Sequence, residues 1–287
     1  MTNTKMVLGV FLVAAVLGRP AFSQQLDGTL KKIKDSNTFT LGYLTSAPPF
    51  SFPGPDKSPV GYSIDLCKQI ANKIQQQIGS NLKLNWVQVT TENRLDMVAS
   101  GKVDIECGTS TATLSRQERV DFSLMTFVDG GSLLTKADFQ LRAPGDLANK
   151  RIAVIPGTTT ETALNKVLKA EFVTVQLVPV KNHVEGLAAV EKGSADAFAS
   201  DRGILIGLVV TSKDPKAFAL PAILFSYEPY GFMVRRNDAA FRLAVNRALA
   251  GLYRSGDVAQ IYERWFGGLG KPSEALQMMY LLNGLPE

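Results

Sequence analysis

The sequence predicts an α/β protein of two similar lobes with a cleft between them. Two observations carry this. Strand-like and helix-like patterns alternate over residues 39–106, the order expected of parallel β–α units, and the same alternation restarts near residue 146 and runs to 199. Nothing between the halves has the composition of a flexible linker, so ordered strands should join the lobes.

The elements follow in order. Residues 39–44 read as a first strand, and the Pro-rich stretch 47–55 as a turn. Gly61-Tyr62-Ser63-Ile64-Asp65 opens a helix to about residue 78. Its apolar residues Ile64, Cys67, Ile70, Ala71, Ile74 and Ile78 share one face. Residues 82–89 form a second strand, 94–100 a short helix and 103–106 a third strand. In the second half, strand 151–155 leads through a Gly-Thr-Thr-Thr turn to helix 161–168. Strand 174–180, helix 183–191 and strand 195–199 come next. From Tyr230 onward, a strand and two amphipathic helices ending in Tyr262-Glu263-Arg264-Trp265-Phe266 are too small for a domain and must pack on a lobe. The expected division is 24–129 plus 230–287 for the first lobe and 130–229 for the second, hinged near Gly130 and Pro229.

Composition and address narrow the class. The chain is 45% hydrophobic and 20% charged, as expected of a water-soluble globular protein, and its 287 residues allow an ample core. Lys5 precedes an apolar run over residues 6–17, and Ala21-Phe22-Ser23 fits a small-x-small cleavage site, so residues 1–23 read as a secretory signal peptide. The run is shorter than a membrane span. Removing 1–23 takes away Lys5 and Arg19 and no acids, so the formal charge of +5 falls to +3. That charge forms no basic stripe, which argues against nucleic acid as a partner. Cys67 and Cys107 remain in an exported chain. A buried thiol is the default for Cys67, and a disulfide between the two is open. With one histidine and no ligand spacing, neither a metal nor a cofactor is expected.

In open α/β sheets, ligands sit beyond the carboxyl ends of strands. The segments there are polar. Thr109, Ser110, Thr111, Thr113 and Ser115 follow the third strand, and Ser115 with Glu118 reads as a capping box that places Arg116 in a first helical turn. Thr91 reads as a cap before Arg94, Thr158 as a cap after Gly157, and Asn182 with Glu185 as a capping box beside His183. Arg94, Arg116 and His183 thus each oppose a helix dipole, a placement that suits an anionic ligand. Asp201 supplies the opposite sign, suited to an ammonium. Phe50 and Tyr62 could wall a ligand or pack in the core. No Gly-x-Ser-x-Gly elbow, phosphate loop or dinucleotide fingerprint is present, so the cleft reads as a binding site rather than a reactor.

Taken together, Pro49-Phe50, Gly61-Tyr62-Ser63-Ile64-Asp65-Leu66, Asn93-Arg94, Glu106-Cys107-Gly108-Thr109-Ser110-Thr111 with Arg116, Gly157-Thr158-Thr159, Asn182-His183, Asp201 and Trp265-Phe266 resemble the periplasmic amino-acid-binding proteins of ABC transporters, solute-binding family 3, in its glutamate/aspartate branch. The resemblance implies the type II periplasmic-binding-protein fold, each lobe a mostly parallel sheet flanked by helices, closing on one amino acid. It implies that Arg116 clamps the α-carboxylate with Thr111 and Thr158. Asp201 and Thr109 would hold the α-ammonium, and Arg94, Thr91 and His183 would read the side chain. The branch also has an arginine where this chain has Leu44, which opens glutamine or asparagine as alternatives. Arg94 and Arg116 against Asp201 leave a net positive pocket that an acidic side chain would balance. The implied partners are an amino acid and the permease subunits in the inner membrane, for a periplasmic monomer. A prephenate-type dehydratase or a sensor domain are the readings from other classes.

Overall fold

A computed structural model describes residues 26–287; the expected signal segment lies outside them. The chain opens with α1 (Gly28–Ser36), β1 (Thr38–Tyr43) and a small hairpin of β2 (Phe52–Pro53) and β3 (Pro59–Val60). It continues through α2 (Tyr62–Ile78), β4 (Lys83–Gln88), α3 (Arg94–Ala99), β5 (Ile105–Glu106), the single turn α4 (Leu114–Gln117) and β6 (Val120–Asp129). After Gly130 come β7 (Gly131–Lys136), β8 (Arg151–Val154), α5 (Thr159–Ala170), β9 (Gln176–Pro179), α6 (His183–Glu191), β10 (Ala197–Asp201), α7 (Arg202–Thr211) and β11 (Phe218–Ala219). Then β12 (Glu228–Arg235) leads to α8 (Ala239–Ser255), α9 (Val258–Phe266) and α10 (Glu274–Asn283).

These strands form two five-stranded sheets, ordered β4-β1-β5-β12-β6 and β11-β7-β10-β8-β9. In each sheet four strands run one way and one runs against them. That strand is β12 in the first sheet and β7 in the second. Each is a strand that the chain enters from the other lobe. The expected parallel units are therefore present, with one antiparallel strand in each lobe where the chain crosses. Helices cover both faces of the first sheet, which is why residues 39–43 of β1 are buried without alternation.

The C-terminal segment belongs to the first lobe, where α8 packs on α2 and β6 and Phe241 meets Phe39 edge-on at 5.9 Å. Sequence reading ended its helices at Phe266. The structure adds α10, capped by Ser273, whose hydroxyl accepts from the Leu276 amide. Two sequence expectations are corrected here. Phe50 and Tyr62 do not wall a ligand: both are fully buried in an aromatic cluster with Phe127, Tyr230 and Phe266. Burying rings of this size stabilises the core by about 2–3 kcal/mol each. Cys67 is not a free thiol, because it forms a disulfide with Cys107 that ties α2 to the end of β5. No helix among the described residues is long and apolar enough to cross a membrane.

Candidate functional site

Polar segments converge where the two sheets point their strand ends at one another. They enclose a small cavity of about 20 Å³, lined from the first lobe by Thr91, Arg94, Thr109 and Thr111. The second lobe contributes residues including Thr158, Thr159, Thr160, His183 and Asp201. Asp201 ends β10, and the others follow β4, β5, β8 or β9. The topology thus gathers Thr91, Arg94, Thr109, Thr111, Thr158, His183 and Asp201 in one chamber, as their positions after strands predict.

Arg116 sits next door. It lines a wider outer pocket with Thr113, Ser115, Lys166 and Tyr227, and Thr111, Thr158 and Thr159 line both spaces. Its Nη1 donates to the Thr111 carbonyl at 2.9 Å. Burial, then the like charge of Arg94, lowers its pKa to about 10. The local expectation for this stretch is corrected. The cap is Thr113, whose hydroxyl accepts from the Arg116 amide, so Arg116 is the third helical residue and Ser115–Glu118 is no capping box. Thr113 takes the role because its backbone is extended just before the turn, whereas Ser115 is already inside it. Similarly, Thr91 caps nothing. Thr90 and Asn93 exchange side-chain and amide hydrogen bonds ahead of α3, which leaves Thr91 facing the cavity.

The caps at Thr158 and Asn182 hold, but the expected Asn182–Glu185 capping box does not close, because the Glu185 carboxylate accepts from the Lys181 amide instead. Thr158 accepts from the Glu161 amide and donates to the Ile155 carbonyl, which commits its hydroxyl to the turn. Asn182 accepts from the Glu185 amide and sets His183 as the first residue of α6. His183 is buried, with Nδ1 3.2 Å from Ser46 Oγ. Burial and the charge of Arg94 hold its pKa down at about 3, so the imidazole is neutral. Arg94 is 7% exposed, and its guanidinium donates no hydrogen bond to any described residue. Among the described residues its one ion pair is a long one, 4.0 Å to Glu106, so its donors stay free toward the cavity, whereas buried charges are ordinarily hydrogen-bonded.

Asp201 accepts from Thr160 Oγ1 and from the Tyr230 hydroxyl. Burial, then the Glu228 charge, raises its pKa. Tyr230 also reaches Asp129 Oδ2, which accepts from the Gly203 amide at 2.9 Å. Asp129 ends β6 and Gly203 lies in the first turn of α7, so this acid ties a strand of one lobe to a helix of the other. Its pKa is likewise raised by burial and by Asp201.

Sequence reasoning missed Asp129, Glu106 and Glu228. Glu228 is buried and accepts from Thr111 Oγ1 at 2.6 Å and Thr159 Oγ1 at 2.7 Å, joining the two lobes at the outer pocket. Glu106 lies fully buried beside Arg94. The expected positive excess is therefore corrected: two guanidiniums meet the carboxyls of Asp201, Glu106 and Glu228. The signal available was Glu106 in an otherwise apolar strand, where an unpaired acid is costly.

Comparisons with known proteins agree with this architecture. The family model of bacterial extracellular solute-binding proteins, family 3, matches residues 39–268. The chain is 36% identical over 262 residues to the L-glutamate/L-aspartate-binding protein of Pseudomonas aeruginosa, covering 91% of this chain and 87% of that one. It is 30% identical over 240 residues to an ABC transporter glutamine-binding protein of Bacillus subtilis, covering 83% and 84%. Among solved structures, an ancestral arginine-binding protein bound to glutamine superimposes with a TM-score of 0.72 at 28% identity, covering 80% of this chain and 98% of that one. An ancestral amino acid-binding protein described as a precursor of cyclohexadienyl dehydratase gives 0.73 at 28% identity, covering 83% and 100%.

Proposed function

From the premise that this chain belongs to the bacterial extracellular solute-binding proteins of family 3, we propose that it is a receptor for an acidic amino acid, glutamate or aspartate, and acts in import. The observation that carries the ligand class is Arg94, a buried guanidinium with uncommitted donors at the cavity. A carboxylate there completes a charge-assisted, bidentate pair. The relatives named for glutamate and aspartate support the same reading.

In this reading Arg116 grips the α-carboxylate from the outer side, with Thr111 and Thr158 bordering both spaces. Asp201, with Thr109, takes the ammonium. Arg94, Thr91 and the neutral His183 meet the side chain. The lobes, 24–129 plus 230–287 and 130–229, hinge at Gly130 and Pro229 and close on the ligand. The receptor works in the periplasm as a monomer, after cleavage of residues 1–23, and hands its ligand to ABC permease subunits without chemistry on it.

A melting-temperature panel of all amino acids and small dicarboxylates tests this. A ligand at a hundredfold excess over its Kd stabilises by about 2.7 kcal/mol. Stabilisation by glutamate or aspartate is expected; a shift with aromatic or aliphatic amino acids alone refutes the assignment.

A further inference from the structure

Glu106 has no exposed surface. Its Oε2 accepts from Ser110 Oγ at 2.8 Å. Its Oε1 accepts from no described residue and lies 4.0 Å from Arg94 Nη1. A Cβ on Gly108 would come within 2.0 Å of Oε1, so the glycine leaves the room that this carboxyl occupies. One hydroxyl donor and one long ion pair are poor compensation for a buried anion, which needs partners on both oxygens.

The charges facing Glu106 are Arg94 from α3 and Arg116 from α4. Its strand neighbours, Gly42 in β1 and Met233 in β12, bring no titrating group. Across the cavity His183 is neutral, and Leu44, near Gly108, carries no charge. A ligand carboxylate arriving at Arg94 therefore puts two carboxyls on one buried guanidinium. Two carboxyls brought together in a buried site raise one another's proton affinity, which favours a proton on one of them.

We propose that Glu106 sets the charge that Arg94 presents to the ligand: a side-chain carboxylate binds with uptake of one proton on Glu106, and a side-chain amide binds with Glu106 ionised. This rests on the amino-acid-receptor reading above and extends it to how the site treats acid and amide. Burial already pushes the Glu106 carboxyl above the usual range against the opposing pull of Arg94 and Ser110.

The test compares glutamate with glutamine by titration calorimetry from pH 6 to 9. The two ligands share ammonium and α-carboxylate, so titration of Asp201 and Arg116 cancels in the ratio of their Kd values. Above the Glu106 pKa of the free protein, Kd for glutamate relative to glutamine should rise about tenfold per pH unit. In buffers of different ionisation heat, glutamate should take up one more proton than glutamine. E106Q should flatten the ratio and favour glutamate throughout. A flat ratio with equal proton uptake in the unmodified protein overturns the proposal and leaves the receptor reading intact, as does a slope that survives E106Q. Binding of neither ligand overturns both. Should E106Q fail to fold, the proton count on the unmodified protein decides.

Discussion

Ser46 Oγ of the first lobe lies 3.2 Å from His183 Nδ1 of the second, a hydrogen bond that spans the cleft beside Arg94. The bond and the burial around it belong to an uncharged imidazole.

This gives a pH prediction. The His183 pKa is about 3 in the folded chain, below the ordinary value near 6.5. The unfolded chain binds more protons in that interval. The stability from a neutral His183 is therefore present above about pH 6.5 and is lost as pH falls toward 3. His183 is the sole histidine of the sequence, so its ring resonances are unambiguous in NMR spectra. Between about pH 8 and 5 they should not move in the ligand-free protein. A titration centred near 6.5 would contradict the buried, Arg94-facing placement.

What could be read from sequence divides along a physical line. Caps at Thr158 and Asn182 are local devices, set by residues three positions apart, and both form. Arg94, His183 and Asp201 are legible because each ends or follows a strand, and α/β topology aims those ends at one place. Glu106, Asp129 and Glu228 are not legible, because their chemistry is created by burial among distant segments. Glu106 is flanked by Gly42 and Met233, one far upstream and one far downstream. Phe50 and Tyr62 fail for the same reason, since Phe127, Tyr230 and Phe266 claim them for the core. Two adjacent candidate caps, Thr113 and Ser115, cannot be ranked without the backbone angles.

The disulfide offers a second prediction. Cys67 and Cys107 are fully buried and 40 residues apart. Closing a loop of that length stabilises the fold by roughly 4 kcal/mol in the chain-entropy model, with 2–4 typical in practice. The double variant C67S/C107S should lower unfolding free energy by about 2–4 kcal/mol in denaturant titrations. Unchanged stability would mean that the bond adds nothing to α2 and β5 beyond their packing.

Arg116 and Arg94 should separate by ligand. If Arg116 serves the α-carboxylate, R116A should weaken glutamate and glutamine alike, by about 100-fold or more, since a buried ligand carboxylate is left unpaired. R94A should weaken glutamate far more than glutamine. Equal losses for both ligands in R94A, measured by calorimetry, would remove it from side-chain recognition.

Gly207 tests closure itself. It lies in α7 of the second lobe, and a Cβ there would come within 2.2 Å of the Pro48 carbonyl oxygen in the turn after β1 of the first. The obstacle is backbone, not a side chain that can swing aside. Alanine improves helix propensity by about 1 kcal/mol, so the second lobe does not suffer on its own account. The cost of G207A must then fall on the approach of the lobes. The variant should bind every amino acid ligand more weakly and retain a larger radius of gyration in X-ray scattering with ligand present. Unaltered affinity in G207A would show that productive binding does not need α7 seated against Pro48.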